Sequence, residues 1–225
     1  MTTRIGFVLF PRLTQLDLTG PYEVFGRLPD AQVLLLGSAA RSDTGLRLQP
    51  DATFDGAPQL DVLCVPGGPG VNGAMEDEAL LSFLRRQSQH ASWVTSVCTG
   101  ALVLGAAGLL QGYRATTHWL SLDLLPRFGA IPVRERVVLD RNRATGGGVT
   151  AGIDFGLRLA AELRGEKVAK EIQLLMEYDP APPYRAGSPA GAGPELVASL
   201  AAARQSVNDE RVRIVERAAA RLGRA

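Results

Sequence analysis

The chain has 225 residues, 46% hydrophobic and 21% charged, enough apolar material to form a core without disulfides or metal. Its 24 Lys and Arg against 23 Asp and Glu leave a formal charge of +1, which argues against a protein built around a nucleic-acid backbone. No apolar run approaches the ~20 residues that span a membrane, and the first apolar run is too short for a secretion signal. Two cysteines, Cys64 and Cys98, without zinc spacing, argue against a disulfide scaffold or a metal site. A reducing, cytoplasmic setting is the plain expectation, and it leaves a thiol free.

In chain order, residues 5–10 form a nearly continuous apolar run ended by Pro11, the pattern of a strand buried on both faces. Pro21, after Gly20, suits the first turn of a helix reaching about residue 28. Residues 33–37 predict a second buried strand, and 42–54, with turns at Asp43-Thr44-Gly45 and Pro50-Asp51, a small hairpin excursion. Residues 61–66 predict a third buried strand, broken by the glycine-rich stretch at 67–70. Residues 76–89 have helical spacing, with Leu80, Leu81, Phe83 and Leu84 as the core stripe. A strand at 93–97 leads directly into a small-residue helix at 99–107. Shorter strands are predicted at 114–118, 133–140 and 143–145, and helices at about 121–128, 150–163 and 166–176. Residues 179–194 hold five prolines and three glycines and read as an arm or linker. Residues 195–222 read as one long amphipathic helix.

Strands alternating with helices predict a single α/β domain, a flavodoxin-like three-layer sandwich with a mostly parallel sheet and helices on both faces. That domain is expected over 1–190, with a C-terminal helix in 191–225 packed on it or extending it. In such sheets chemistry sits beyond the carboxyl ends of the strands. Asp17, the pair Gly67-Gly68 and Cys98 all fall at that edge.

Cys98, between a strand and a helix, has the setting of a nucleophile elbow. The small residues Gly100 and Ala101 permit the tight crossing, and the helix start favours a thiolate. Free cysteine is also a common core filler, and Cys64, mid-strand between Leu63 and Val65, fits that role better. Gly67 and Gly68 can turn backbone N–H groups toward an anion, as an oxyanion hole requires, or simply make a tight turn. No Lys-Ser/Thr ending follows them, which removes a phosphate loop. The glycines at 146, 148 and 152 miss the dinucleotide spacing and read as a close-packed turn into a helix. The only histidines are His90, at a polar helix end, and His118, at a predicted strand end. The residue after Cys98 is Thr99, so no histidine base stands beside the thiol, which weakens a peptidase or amidotransferase triad. Asp17, flanked by Leu16 and Leu18, is either a helix cap or, if shielded near Cys98, a carboxyl raised into a useful acid/base range.

Together, the segments QLDLTGP at 15–21, VPGG at 65–68, TSVCTG at 95–100, ATTHW at 115–119 and TGGG at 145–148 resemble the ThiJ/PfpI superfamily. Within it they look most like the isocyanide hydratases. The resemblance covers about residues 4–190, and the branch is marked by Asp17 and Thr99. It implies addition of water to an organic isocyanide, giving an N-substituted formamide through a cysteine thioimidate, with no cofactor and no metal. Carried over by position, Cys98 attacks the isocyanide carbon, Asp17 handles protons and helps activate water, and Thr99 hydrogen-bonds near Asp17. Gly67 and Gly68 would line the pocket. The turn at 147–150, with Gly147, Val149 and Thr150, would lie against the cysteine and shift when its charge is neutralised. The resemblance also implies a homodimer. Similar domains occur fused to AraC-type DNA-binding regions, so a stand-alone cysteine-based sensor is the first rival. The short tail and balanced charge leave no room for two helix-turn-helix units. A glyoxalase-like, deglycase-like or peptidase activity is the second rival.

Overall fold

A computed structural model of the chain describes residues 2–223. Strand β1 (Thr3–Leu9) leads into helix α1 (Gln15–Phe25), and β2 (Ala31–Gly37) returns parallel to β1 with Val33 opposite Ile5. A side hairpin of β3 (Ala40–Arg41) and β4 (Arg47–Leu48) precedes β5 (Val62–Val65), the one-turn helix α2 (Val71–Ala74) and α3 (Glu78–Ser88). Next come β6 (Trp93–Val97), α4 (Gly100–Ala106) and the short β7 (Arg114–Ala115). A 3-10 helix, Trp119–Phe128, passes through β8 (Ile131–Pro132) to β9 (Val137–Asp140) and β10 (Arg143–Gly146). Helices α5 (Ala151–Arg164) and α6 (Glu166–Leu175) are followed by an arm holding α7 (Pro189–Ala192), then α8 (Pro194–Ala203) and α9 (Gln205–Leu222).

The main sheet has the order β2-β1-β5-β6-β10-β9, parallel except for β9, which runs antiparallel to β10. One group of helices joins α1, α5 and α6, and another joins α2, α3, α4 and α9, so the sheet has helices around it as expected. Burial on both faces explains the apolar runs: every residue of β5 is buried, whereas β2, at the sheet edge, is only partly covered. Asp77 caps α3 by accepting the N–H groups of Ala79 and Leu80 at 3.0 and 3.1 Å, which starts the Leu80, Leu81, Phe83, Leu84 stripe on the core.

Helix α1 starts at Gln15, after the extended residue Thr14, and not at Pro21. Pro21 sits inside the helix, where it has no N–H for the Asp17 carbonyl. The ring packs closely on α5: a Cβ on Gly152 would lie 2.9 Å from Pro21 Cδ, and one on Gly156 3.1 Å from Val24 Cβ. Two glycines a helical turn apart thus let α5 approach α1 closely. Asp17 therefore lies within the first turn, and Thr14, not Asp17, holds the cap position.

The strand expected at 114–118 pairs only at Arg114 and Ala115, with β8 and outside the main sheet. Beyond it the polar groups bond elsewhere: the Thr116 N–H donates to Thr145 Oγ1 at 2.9 Å, and Thr117 Oγ1 donates to a backbone carbonyl. His118 accordingly opens the 3-10 helix and does not end a strand. The strand expected at 133–140 is confined to β9. The expected long C-terminal helix is two helices, broken at Arg204 (φ −106°, ψ 3°). The break frees their directions: α8 buries none of its residues, while α9 buries Arg211, Ile214, Val215 and Ala218.

Candidate active site

Cys98 occupies the turn between β6 and α4 with φ of 54°, in the left-handed region that non-glycine residues rarely enter. Both of its backbone groups are held. Its N–H donates to the Gly146 carbonyl at 3.0 Å, and its carbonyl accepts from Thr117 Oγ1 at 2.8 Å. The next turn needs glycine, because a Cβ on Gly100 would run into the Val65 and Pro66 carbonyls. The β6-to-α4 junction thus holds the Cys98 backbone in a strained but well-anchored conformation.

Helix α1 brings Asp17 to the same place, fully buried. Its Oδ2 accepts the Gly67 N–H at 3.0 Å, while Oδ1 has no partner in hydrogen-bond geometry. Burial pushes this carboxyl up to about 7, only partly offset by the Gly67 amide and the Cys98 thiol. The Cys98 thiol is also raised, first by burial and then by the Asp17 charge, and the Thr99 amide and hydroxyl act in the opposite direction. The two groups share one environment and compete for the proton.

Gly67 stands where these groups meet. A Cβ there would lie 2.5 Å from the Thr99 nitrogen and 2.8 Å from both Asp17 Oδ2 and Thr99 Oγ1, so only glycine fits. Gly68, at φ of 122°, gives its N–H to Thr99 Oγ1 at 3.0 Å, and the same hydroxyl lies 3.3 Å from the Gly68 carbonyl. Their amides are therefore already taken: the Gly67 N–H by Asp17 and the Gly68 N–H by Thr99. In this arrangement the two glycines orient the acid and the threonine and do not present a free oxyanion hole.

The turn after β10 is adjacent through the bond from Cys98 to Gly146. Gly147 is buried and donates its N–H to the Arg136 carbonyl at 2.9 Å, and Val149 is half-buried. Thr150 is exposed, and its hydroxyl accepts from Arg136 Nη2 at 3.2 Å. His118 is held by its own segment, with Nδ1 accepting the Leu120 N–H at 3.4 Å. Burial, then Arg211 and Arg204, lower its proton affinity.

Several residues at the site carry no obvious sequence signal. Thr117, inside the ATTHW segment, clamps the cysteine carbonyl. Arg211 on α9 is buried beside the site, bound to Asn72 and Ser121. Its one legible trace is spacing, since a charge stands on the stripe of Ile214, Val215 and Ala218. A cavity of about 530 Å³, lined by Arg12, Gly70, Asn72, Arg204 and Glu210 among others, shares Asn72 with this cluster. A larger one, about 850 Å³ between α5, α6 and β9, is lined by Arg136 but not by Cys98, Asp17 or Thr99. Among the described residues no cluster of three or more His, Cys, Asp or Glu could hold a metal ion. No helix among them is long and apolar enough to cross a membrane.

The elbow, the six-stranded sheet and the buried carboxyl define a class that comparison with known proteins identifies: residues 3–162 match the DJ-1/PfpI family, and the chain belongs to it. It is 57% identical over 226 residues to the isonitrile hydratase of Pseudomonas putida, covering 99% of each chain. It is 31% identical over 186 residues to the HTH-type transcriptional regulator GbdR of Pseudomonas aeruginosa, covering 78% of this chain but 50% of the regulator. The crystal structure of a ThiJ/PfpI family protein from Pseudomonas syringae superposes with a TM-score of 0.93 at 42% identity, covering 96% of this chain and 91% of that one.

Proposed function

We propose that the chain is an isocyanide hydratase, a hydro-lyase that adds water to an organic isocyanide to give an N-substituted formamide. The observation that carries the reading is the buried pair of Cys98 and Asp17, with the carboxyl raised to about 7, in a chain 57% identical end to end to an isonitrile hydratase. A carboxyl near 7 can take a proton and return it at neutral pH, which is what hydration asks of it.

The steps balance with these two side chains alone. The Cys98 proton passes to Asp17, and the sulfur bonds to the terminal isocyanide carbon. Asp17 returns the proton to that carbon, leaving a thioimidate. Water then adds to the thioimidate carbon as Asp17 takes a water proton. Asp17 passes that proton to the nitrogen, and the C–S bond then breaks as the hydroxyl oxygen forms its double bond to carbon, its proton moving through Asp17 to the sulfur, which releases the N-substituted formamide and restores the thiol. Thr99 and Gly67 keep Asp17 and the sulfur in register. Gly147, Val149 and Thr150 belong to this reading as the turn beside the cysteine whose helix shifts when the charge on Cys98 is neutralised.

The sensor alternative draws on GbdR, but this chain covers half of that regulator, and its tail is used otherwise: α9 packs against α4 and the 3-10 helix. We also infer a homodimer in the cytoplasm. Exposed Leu174, Leu175, Tyr184, Leu196 and Leu200 on α6, the arm and α8 support the first, and two free thiols the second.

Formamide release from cyclohexyl isocyanide tests the function. Wild type is expected to turn over, and Cys98→Ala to lose roughly 10³-fold or more of kcat. No turnover by wild type across several alkyl and aryl isocyanides overturns the assignment, and full activity in Cys98→Ala overturns the mechanism.

A further inference from the structure

Helix α9 lies beyond residue 162, where the family match ends, yet it reaches the active site. Its buried residues Arg211, Ile214, Val215 and Ala218 form one stripe, and Arg211, at 6% exposed, is nearly as buried as Ile214 at 5%. Its Nε donates to Asn72 Oδ1 and its Nη1 to Ser121 Oγ, both at 3.1 Å. Both acceptors are neutral. Among the described residues no carboxylate lies within 4.0 Å of this guanidinium. An arginine does not shed its charge at neutral pH, so one buried against an amide and a hydroxyl calls for an anion nearby.

Asn72 in turn donates to Glu210 Oε2 at 3.5 Å, and the two acceptors place the guanidinium between segments of the site. Asn72 lies in α2, just past Gly67 and Gly68, and Ser121 follows Thr117, whose hydroxyl holds the Cys98 carbonyl. Arg211 therefore ties the helix after the Gly67-Gly68 turn to the segment that carries the Thr117 clamp on Cys98. Burial lowers the proton affinity of its guanidinium, and the charge on Cys98 raises it again, ahead of Glu210.

We propose that Arg211 is a positioning residue for the nucleophile: its buried guanidinium, held by Asn72 and Ser121, stabilises negative charge on the Cys98 sulfur. It thereby favours transfer of the thiol proton to Asp17. The inference deepens the hydratase reading and rests on Cys98 being its nucleophile. The S–H bond breaks as the Asp17 O–H bond forms, the charge moves from carboxylate to sulfur, and Arg211 stays protonated throughout. The charged and titratable groups facing this pair are Asp17 on α1, His118 before the 3-10 helix, Arg204 between α8 and α9, and Glu210 on α9.

Alkylation of Cys98 by iodoacetamide against pH, read by mass spectrometry of its peptide, measures thiolate without any isocyanide. Failure here is thus distinct from failure of the hydratase assignment. Arg211→Met is expected to slow alkylation at pH 7 about tenfold and to move the profile to higher pH, while Arg211→Lys recovers most of the loss. Arg211→Gln, which keeps donors for Asn72 and Ser121, serves if the methionine variant does not fold, with the same expected shift. A neutral variant whose profile superimposes on wild type overturns the proposal. So does a lysine variant as slow as the neutral ones, because the role is then structural.

Discussion

Cys64 and Cys98 are both buried thiols, on adjacent strands β5 and β6 or at their ends, and both are raised by burial. Cys64 lies in the middle of β5, paired with Thr95, and its sulfur meets the Thr95 hydroxyl at 3.1 Å. Its thiol is pushed up to about 12 with only that hydroxyl to offset burial. Cys98 lies three residues beyond Thr95, about 10 Å farther toward the carboxyl edge of the sheet. There the strand has ended, and α1 brings the Asp17 carboxyl to the sulfur while Thr99 adds its amide and hydroxyl. Burial raises both thiols; what sets Cys98 apart is a proton acceptor, Asp17, in the same buried space.

Gly67→Ala tests the cradle that distinguishes the two thiols. The new Cβ must displace the Thr99 amide or the Asp17 carboxyl, so kcat is expected to fall roughly 100-fold while the protein still folds. Activity close to wild type would show that the cradle tolerates a shift of that size and that its geometry matters little.

Asp17→Asn sharpens the comparison through stability. The folded chain holds a proton on Asp17 up to about pH 7, whereas the unfolded chain releases it near pH 4, so wild-type stability falls as pH rises through that window. The amide has no such proton to lose. Chemical denaturation is expected to find Asp17→Asn more stable than wild type by roughly 1–3 kcal/mol at pH 8, with the gap closing by pH 4. A gap independent of pH would mean that the carboxyl is not raised. The same variant is expected to lose turnover, a stability gain bought at the site's function.

Cys64→Val carries the smallest expected effect. The swap nearly conserves volume and leaves Thr95 Oγ1 its other bond, to the Leu63 carbonyl at 2.9 Å, so the cost is about 1.5 kcal/mol or less with kcat unchanged. A tenfold loss of kcat would end the claim that only one of the two thiols works.

Much of this was legible in the residues. The apolar runs at 5–10, 61–66 and 93–97 become β1, β5 and β6, because strands covered on both faces have no polar alternation to hide. The small residues after Cys98 mark the elbow, since a Cβ at Gly100 would strike the neighbouring strand end. Pro21 misled, because its usual place is a helix start and its packing on Gly152 comes from α5, far along the chain. His118 was misplaced because Thr116 and Thr117 spend their bonds on Thr145 and Cys98 and not on a ladder. The break at Arg204 has no mark in the sequence, because nothing in 195–222 forbids a continuous helix; beyond it α9 alone buries residues on the core.

Period, punctuation and residue type are local properties, and from them alone came the layered α/β class and the choice of Cys98 over Cys64. Proton affinity and charge pairing depend on what else shares a buried volume. That burial raises the Asp17 carboxyl to about 7, that the Gly67 and Gly68 amides are occupied, and that Arg211 reaches Asn72 and Ser121 from α9 all depend on distant segments closing on one space. The physical reason is desolvation: its strength belongs to the assembled surroundings and to no stretch of chain by itself.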